Sequence, residues 1–294
     1  MANQPTGEQY AIYFGDQSVV VTERGATLRT FRVASRDVVL PFGEGELPSN
    51  SQGQHLLPWP NRIRDGRWVH DGVSQQLPIN ETERHNAIHG LVCGVPWTLV
   101  DHSPASVEQS VMVHPQPGWP GLIESRVRHS LSRDGLAVDV SVTNLGTVAV
   151  PVGYAAHPYL VLDAPIDEWR VAAPADEYLV VDDRLLPVRL EPVGGTPADL
   201  RRGDAFGDRQ LDTAMKTPVD GWVATFMTAT RRSAVWADEG MGWIQIYTPG
   251  DRASLAVEPM TCGPDAFNGG DAALGLVELE PGASTAWRWG IIGR

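Results

Sequence analysis

Cysteine is scarce in this chain, two residues in 294, Cys93 and Cys262. Two thiols so far apart exclude a disulfide framework and lack the close spacing of a structural zinc site, so both are expected to be reduced. No stretch approaches the roughly 18 consecutive apolar residues of a membrane helix, and Met1 to Gly7 lacks the basic and apolar blocks of an export signal. The expectation is a cytoplasmic protein with no membrane partner. Positive charge is also short: 23 Lys and Arg against 36 Asp and Glu give a formal net charge of −13. That balance opposes binding to nucleic acid or anionic lipid by plain repulsion and favours a small neutral or weakly cationic ligand.

Sustained helical periodicity is missing as well, and thirty glycines with twenty-three prolines would interrupt any such run. The G-x-S-x-G and G-x-x-x-x-G-K patterns are absent, which removes the usual serine-nucleophile and phosphate-cradling signatures. His85 and His89 stand four apart, a spacing that brings two metal ligands together only on a helix, and their surroundings do not read as one. Neither a metal nor a cofactor is expected.

What is present is strand pattern. Ser18 to Thr22, Arg67 to His70, Val107 to His114, Leu136 to Val142 and Trp243 to Tyr247 are alternating or continuous apolar runs of strand length. Asp71-Gly72 and Asp134-Gly135 suit tight hairpins because both residue types tolerate positive φ, and Pro249-Gly250 marks another turn. These features predict one large all-β domain over residues 1–294, a sandwich or open barrel of antiparallel strands. The segment Pro187 to Gly207 reads as a long ordered loop. Ten tryptophans are many; Trp59, Trp97 and Trp119 lie beside prolines, where a flat apolar face stacks on a sugar ring, although each one singly is a commoner core residue.

The polar residues that stand out sit at the ends of such runs. Glu258 lies in Leu255-Ala256-Val257-Glu258-Pro259-Met260-Thr261, where burying a carboxylate without a partner or a purpose is costly. His157 ends an apolar stretch and precedes Pro158, which biases it to an extended backbone at a strand end. A carboxylate and an imidazole so placed can act as base and acid on a neutral substrate without metal or cofactor. Asn61-Arg62 follows two stiffening prolines and offers forked donors for hydroxyl groups. His89 stands beside Gly90, which permits close backbone approach. Asp212 and Gln245 complete the set, Asp212 after a basic loop-like segment and Gln245 between Ile244 and Ile246.

Taken in chain order, Asn61-Arg62-Ile63, Asn86-Ala87-Ile88-His89-Gly90, His157-Pro158-Tyr159, Leu211-Asp212-Thr213-Ala214, Gln245-Ile246-Tyr247-Thr248 and Glu258-Pro259-Met260-Thr261 resemble the aldose 1-epimerase (galactose mutarotase-like) family. The resemblance implies a large antiparallel β-supersandwich with an open carbohydrate cleft, and interconversion of the α and β anomers of a free hexose. It implies Glu258 as general base, His157 as general acid and His89 assisting at the ring oxygen, with Asn61, Arg62, Asp212 and Gln245 binding the sugar. The family's second glycine after His-Gly is replaced by Leu91, and Ala156 and Leu160-Val161 flank the histidine motif in place of the usual Asn-rich surroundings. Hexose-6-phosphate epimerases share the fold and the acid–base pair but add basic groups, for which Arg64, Arg67 and Arg84 are candidates. A non-catalytic sugar-binding protein is a rival that needs no matched base and acid. A lyase or hydrolase is another, and hydrolysis calls for two carboxylates flanking one bond.

Overall fold

The computed structural model describes residues 4–294. Two large antiparallel sheets dominate it, joined by a four-stranded antiparallel sheet near the N-terminus. The first large sheet runs, in spatial order, through Thr98–Ser103, Ser106–Val113, Ile123–Ser132, Gly135–Asn144, Ser284–Gly293, Arg232–Ala237, Trp222–Met227 and Arg170–Ala172. Its strands alternate buried and exposed positions, as in Ile123–Ser132, the signature of a sheet with one face on a core and one in water. The second sheet runs through Pro187–Pro192, Glu177–Val181, Asp212–Lys216, Trp243–Tyr247, Leu255–Met260, Ala155–Ala156 and His55–Leu56, with Tyr159–Leu160 also paired to Leu255–Met260. The chain is therefore a nearly all-β antiparallel sandwich, as its alternating patterns require. Three short 3-10 turns are the only helical elements among the described residues, and no helix is long and apolar enough to cross a membrane.

The hairpin signals act where they stand. Asp71 and Gly72 both take positive φ, 47° and 75°, and close the turn between Arg67–His70 and Val73–Gln76. Gly135, at φ 107°, opens the strand that pairs with Ile123–Ser132. A continuous apolar cluster, including Ile12, Phe31, Trp119, Val140, Trp169, Phe226 and Ile291, fills the interior.

Several expectations need correction. Pro187–Pro192 is an edge strand rather than part of a loop, because its prolines occupy positions where the outer side of the strand has no ladder partner. The stretch leading to His157 is not one strand but two short ones, Val150–Val152 and Ala155–Ala156, and a third, Tyr159–Leu160, follows the break at His157-Pro158. Trp59, Trp97 and Trp119 are all fully buried core residues, so none of them offers a face to a ligand.

Candidate active site

The centre of the second sheet explains how the polar residues meet. Leu255–Met260 is buried at every position and pairs on one side with Trp243–Tyr247, where Gln245 faces Glu258. On its other side Ala155 faces Met260 and Tyr159 faces Ala256, and that register sets His157 opposite Glu258. Pairing lapses between these two contacts, where Pro158 and Pro259 supply no backbone N–H and Val257 donates instead to the Pro158 carbonyl at 3.0 Å. Leu56 and His55 pair with Ala155 and Ala156, and the His157 N–H donates to the Gln54 carbonyl at 3.0 Å. Gln54, His157, Glu258 and Gln245 therefore form one row across four adjacent segments, with side chains on the same face because residues opposite one another in a sheet point the same way.

That row lines a cavity of about 660 Å³, a size suited to a small ligand. His157 Nε2 lies 3.3 Å from Glu258 Oε1, both side chains being almost wholly buried. Gln245 donates through Nε2 to Asp212 Oδ1, a diagonal neighbour one strand further out. Tyr159 stacks on the His157 ring at 5.1 Å between centroids, and its hydroxyl donates to the Asn50 carbonyl at 3.0 Å.

Asn61, Arg62 and His89 enter from a second pair of strands, Arg62–Arg64 and Asn86–Ile88. Asn61 and His89 both take left-handed backbone conformations, φ 53° and 66°, and the His89 N–H donates to the Asn61 carbonyl at 2.9 Å. A bulky residue held there is strained, and such strain gathers at functional sites. The His89 ring then meets the His157 ring edge-on at 5.4 Å. Gly90 follows at φ 72°, so close to the chain at Leu57 that a Cβ would stand 2.0 Å from its carbonyl oxygen. Only glycine fits there.

All seven residues singled out from the sequence line this one cavity. Of the three arginines considered for a phosphate, only Arg84 does. Arg64 pairs with Asp265 and Asp182, and Arg67 donates to Gln76 at the surface. None of the ten tryptophans lines the cavity; Tyr159, Tyr247 and the two histidines supply its ring surfaces. Cys93 lies just behind it, its one S–H shared between the carbonyls of His55 and His89, each 3.2 Å from Sγ. Glu81 had no signal in the sequence, where Asn80-Glu81-Thr82-Glu83-Arg84 is polar throughout. In the fold its buried carboxylate takes three hydrogen bonds from Arg62, at 2.9 to 3.1 Å.

Burial dominates the electrostatics. It pushes the Glu258 carboxyl well above the usual carboxylate range, reinforced by the Asp212 charge and partly offset by Arg62. It lowers His157 to about 4. His89 is also held well below the ordinary imidazole value, by burial first and then by His157 and Arg62. Four buried side-chain atoms of these residues, His89 Nδ1, His157 Nδ1, Gln245 Oε1 and Glu258 Oε2, have no hydrogen-bond partner in the protein. Unpaired buried polar atoms are costly, and here they surround one cavity. Among the described residues, no three of His, Cys, Asp or Glu are grouped to share a metal ion.

Comparison with known proteins matches the aldose 1-epimerase family model to residues 9–291. The chain belongs to the aldose 1-epimerase family. It is 32% identical to the Escherichia coli (strain K12) protein YihR, which is uncharacterised, over 94% of this chain and 90% of that one. Human galactose mutarotase is 30% identical over 70% of this chain and 64% of its own length. The GalM/aldose epimerase homologue from C. elegans superposes with a TM-score of 0.85 at 21% identity, covering 98% of both chains. A galactose mutarotase-like protein from Clostridium acetobutylicum gives 0.86 at 19%, over 97% of this chain and 94% of its own. The fold of this aldose 1-epimerase family member is thus the galactose mutarotase-like sandwich, and at family level its activity is that of a sugar epimerase or mutarotase.

Proposed function

We propose that this protein is an aldose 1-epimerase acting on a free, uncharged hexose, and that Glu258 and His157 open and reclose its hemiacetal ring. The observation that carries the proposal is the apposition of the buried Glu258 carboxyl and His157 imidazole, 3.3 Å apart in one cavity. The two oxygens of a hemiacetal share a single carbon, so groups that serve them must be near neighbours. A carboxyl and an imidazole in register across one strand gap meet that demand.

Burial favours both groups in their neutral forms, one proton resting on the pair. Moving that proton across the contact gives a carboxylate beside an imidazolium, opposite charges formed together rather than singly. The carboxylate takes the proton of the C1 hydroxyl while the imidazolium gives its own to the ring oxygen, and the C1–O5 bond breaks without a full charge building up. Rotation about C1–C2 presents the other carbonyl face. Reclosure runs the transfers backwards and restores the pair. His89 assists at the ring oxygen, and Asn61, Arg62, Asp212 and Gln245 hold the remaining hydroxyls.

The charge of the cavity supports an uncharged sugar. Glu81, Glu83 and Asp212 line it against Arg62 and Arg84, and Arg84 is already bonded to Glu81 at 3.1 Å and lies 3.6 Å from Glu83. A 6-phosphate would meet more carboxylates than free guanidinium groups. A purely binding function leaves the matched acid and base without a purpose, and hydrolysis would want a second carboxylate across the scissile bond from Glu258, whereas Asp212 lies beside it on the same sheet and is engaged by Gln245. Polarimetry tests the proposal: freshly dissolved α-galactose or α-glucose should reach rotational equilibrium faster with protein than in buffer, and their 6-phosphates should not. Equal rates with and without protein for every sugar would overturn it.

A further inference from the structure

Arg62 is held from behind by a relay that begins outside the cavity. Its Nε and one Nη2 hydrogen engage Glu81, and one Nη1 hydrogen goes to Asn61 Oδ1 at 3.1 Å. A guanidinium carries five N–H donors, so two remain for the cavity side. Glu81 is fixed in turn by Asn86, whose Nδ2 donates to Oε2 at 2.9 Å. Burial alone would raise the Glu81 pKa, yet the hydrogen bonds from Arg62 and Asn86 outweigh it and keep the carboxyl ionised.

Asn86 is fully buried, and its amide serves this role in only one orientation. Turned over, it would set its oxygen against the carboxylate. Arg184, from the tight turn at residues 182–186, fixes the orientation from both sides: its carbonyl accepts from Asn86 Nδ2 at 3.3 Å and its Nη2 donates to Asn86 Oδ1 at 3.1 Å. The same guanidinium grips Asp65 Oδ1 and the carbonyls of His85 and Arg84, at 2.8 to 2.9 Å. It thereby ties three segments that are distant in sequence behind the cavity wall. Arg184 itself does not line the cavity.

We propose that Arg184 is a positioning residue for sugar binding: acting through Asn86 and Glu81, it sets the plane in which Arg62 presents its two free N–H groups to the substrate. This rests on the epimerase reading above. Arg184 touches no substrate atom, so its loss weakens binding in ground state and transition state alike, which raises KM and spares kcat.

The test is a double-mutant cycle on the full chain with galactose and glucose as probes. Arg184→Gln is expected to raise KM about tenfold with kcat within about twofold of wild type. Arg184→Lys, which keeps the charge but loses the fork, should fall between the two. Arg62→Gln should raise KM further, and adding Arg184→Gln to it should change nothing more, because a relay whose end has been removed has nothing left to position. An unaltered KM in both Arg184 variants, or effects that multiply in the double variant, would overturn the proposal; multiplication is what a merely structural role gives. If wild type binds sugar without turning it over, the epimerase reading fails, and the same cycle read on Kd by calorimetry still decides the role of Arg184. If it neither binds nor turns over either sugar, both fail.

Discussion

His157 stands opposite Glu258 in register although no ladder pairing joins them at that point; the strand partners on either side, Ala155 with Met260 and Tyr159 with Ala256, hold the two in place. The gap in pairing gives the imidazole room to turn toward the carboxyl, and the flanking pairs keep it from drifting. The proposed acid–base pair is thus fixed by backbone register more than by its own 3.3 Å contact.

The pH profile should show this pair acting as a unit. In the proposed mechanism turnover needs one proton on it. With His157 lowered to about 4 and Glu258 raised well above the carboxylate range, kcat/KM should form a broad plateau through neutral pH. The acid limb lies near the His157 value, as a second proton is bound, and the alkaline limb appears as the pair loses its only proton. Steady-state polarimetry at a series of pH values measures it. A rate that follows a single group titrating near 6.5 contradicts the arrangement.

Burial of Glu258 carries a stability cost. Its folded pKa exceeds its unfolded one, so its contribution is favourable below the unfolded value and is lost as pH rises. At neutral pH Glu258→Gln is therefore expected to melt at the same temperature as wild type or higher, while losing activity, the usual opposition between an active site and stability. A clear fall in melting temperature at pH 7 would show that the carboxylate is needed structurally.

The core holds a second titrating group. His55 bonds Tyr154 through Nδ1 at 2.9 Å and lies 3.4 Å from His129 Nε2, and Trp289 donates to the same Tyr154 hydroxyl at 2.8 Å. Burial lowers His55 to about 4 and His129 well below the ordinary value. Since the unfolded chain takes up these protons first, stability is complete above about pH 6.5 and falls on acidification toward pH 4. His55 alone should cost about 2 kcal/mol between pH 7 and pH 5, with His129, His89 and His157 adding to it and Glu258 offsetting part of the sum. Urea unfolding at the two pH values measures the loss; equal midpoints would contradict it.

Gly90→Ala should be among the most damaging small substitutions. Its Cβ would stand 2.0 Å from the Leu57 carbonyl, at a φ that alanine disfavours. A loss of about 2–4 kcal/mol is expected, with His89 displaced. A melting temperature within 2 °C of wild type, about the smallest shift that 1 kcal/mol gives in a large domain, would show that the chain at Leu57 yields.

Much of this was legible in the sequence, and the parts that were not share a cause. Arg67–His70 and Trp243–Tyr247 follow directly from apolar runs, and Glu258 stands out because a carboxylate is rare inside one. Those signals are local. That residue 157 faces residue 258 depends on strand register, which no short run encodes. Glu81 stayed hidden because its burial comes from Arg62, nineteen positions away, and its own neighbours are polar. The tryptophans misled for the opposite reason: neighbouring prolines suggest a loop, whereas the sandwich is thick enough to bury every indole that might have stacked on a sugar.

The proposed chemistry rests on one proton shared by Glu258 and His157, and anomer exchange in single variants probes it without intermediary. Exchange between the α and β forms of galactose and glucose, followed by NMR at neutral pH, should be strongly accelerated by wild type. Glu258→Gln and His157→Asn should each reduce that acceleration by about a hundredfold to ten-thousandfold, in proteins that still melt cooperatively. Exchange in either variant at the wild-type rate would contradict the account.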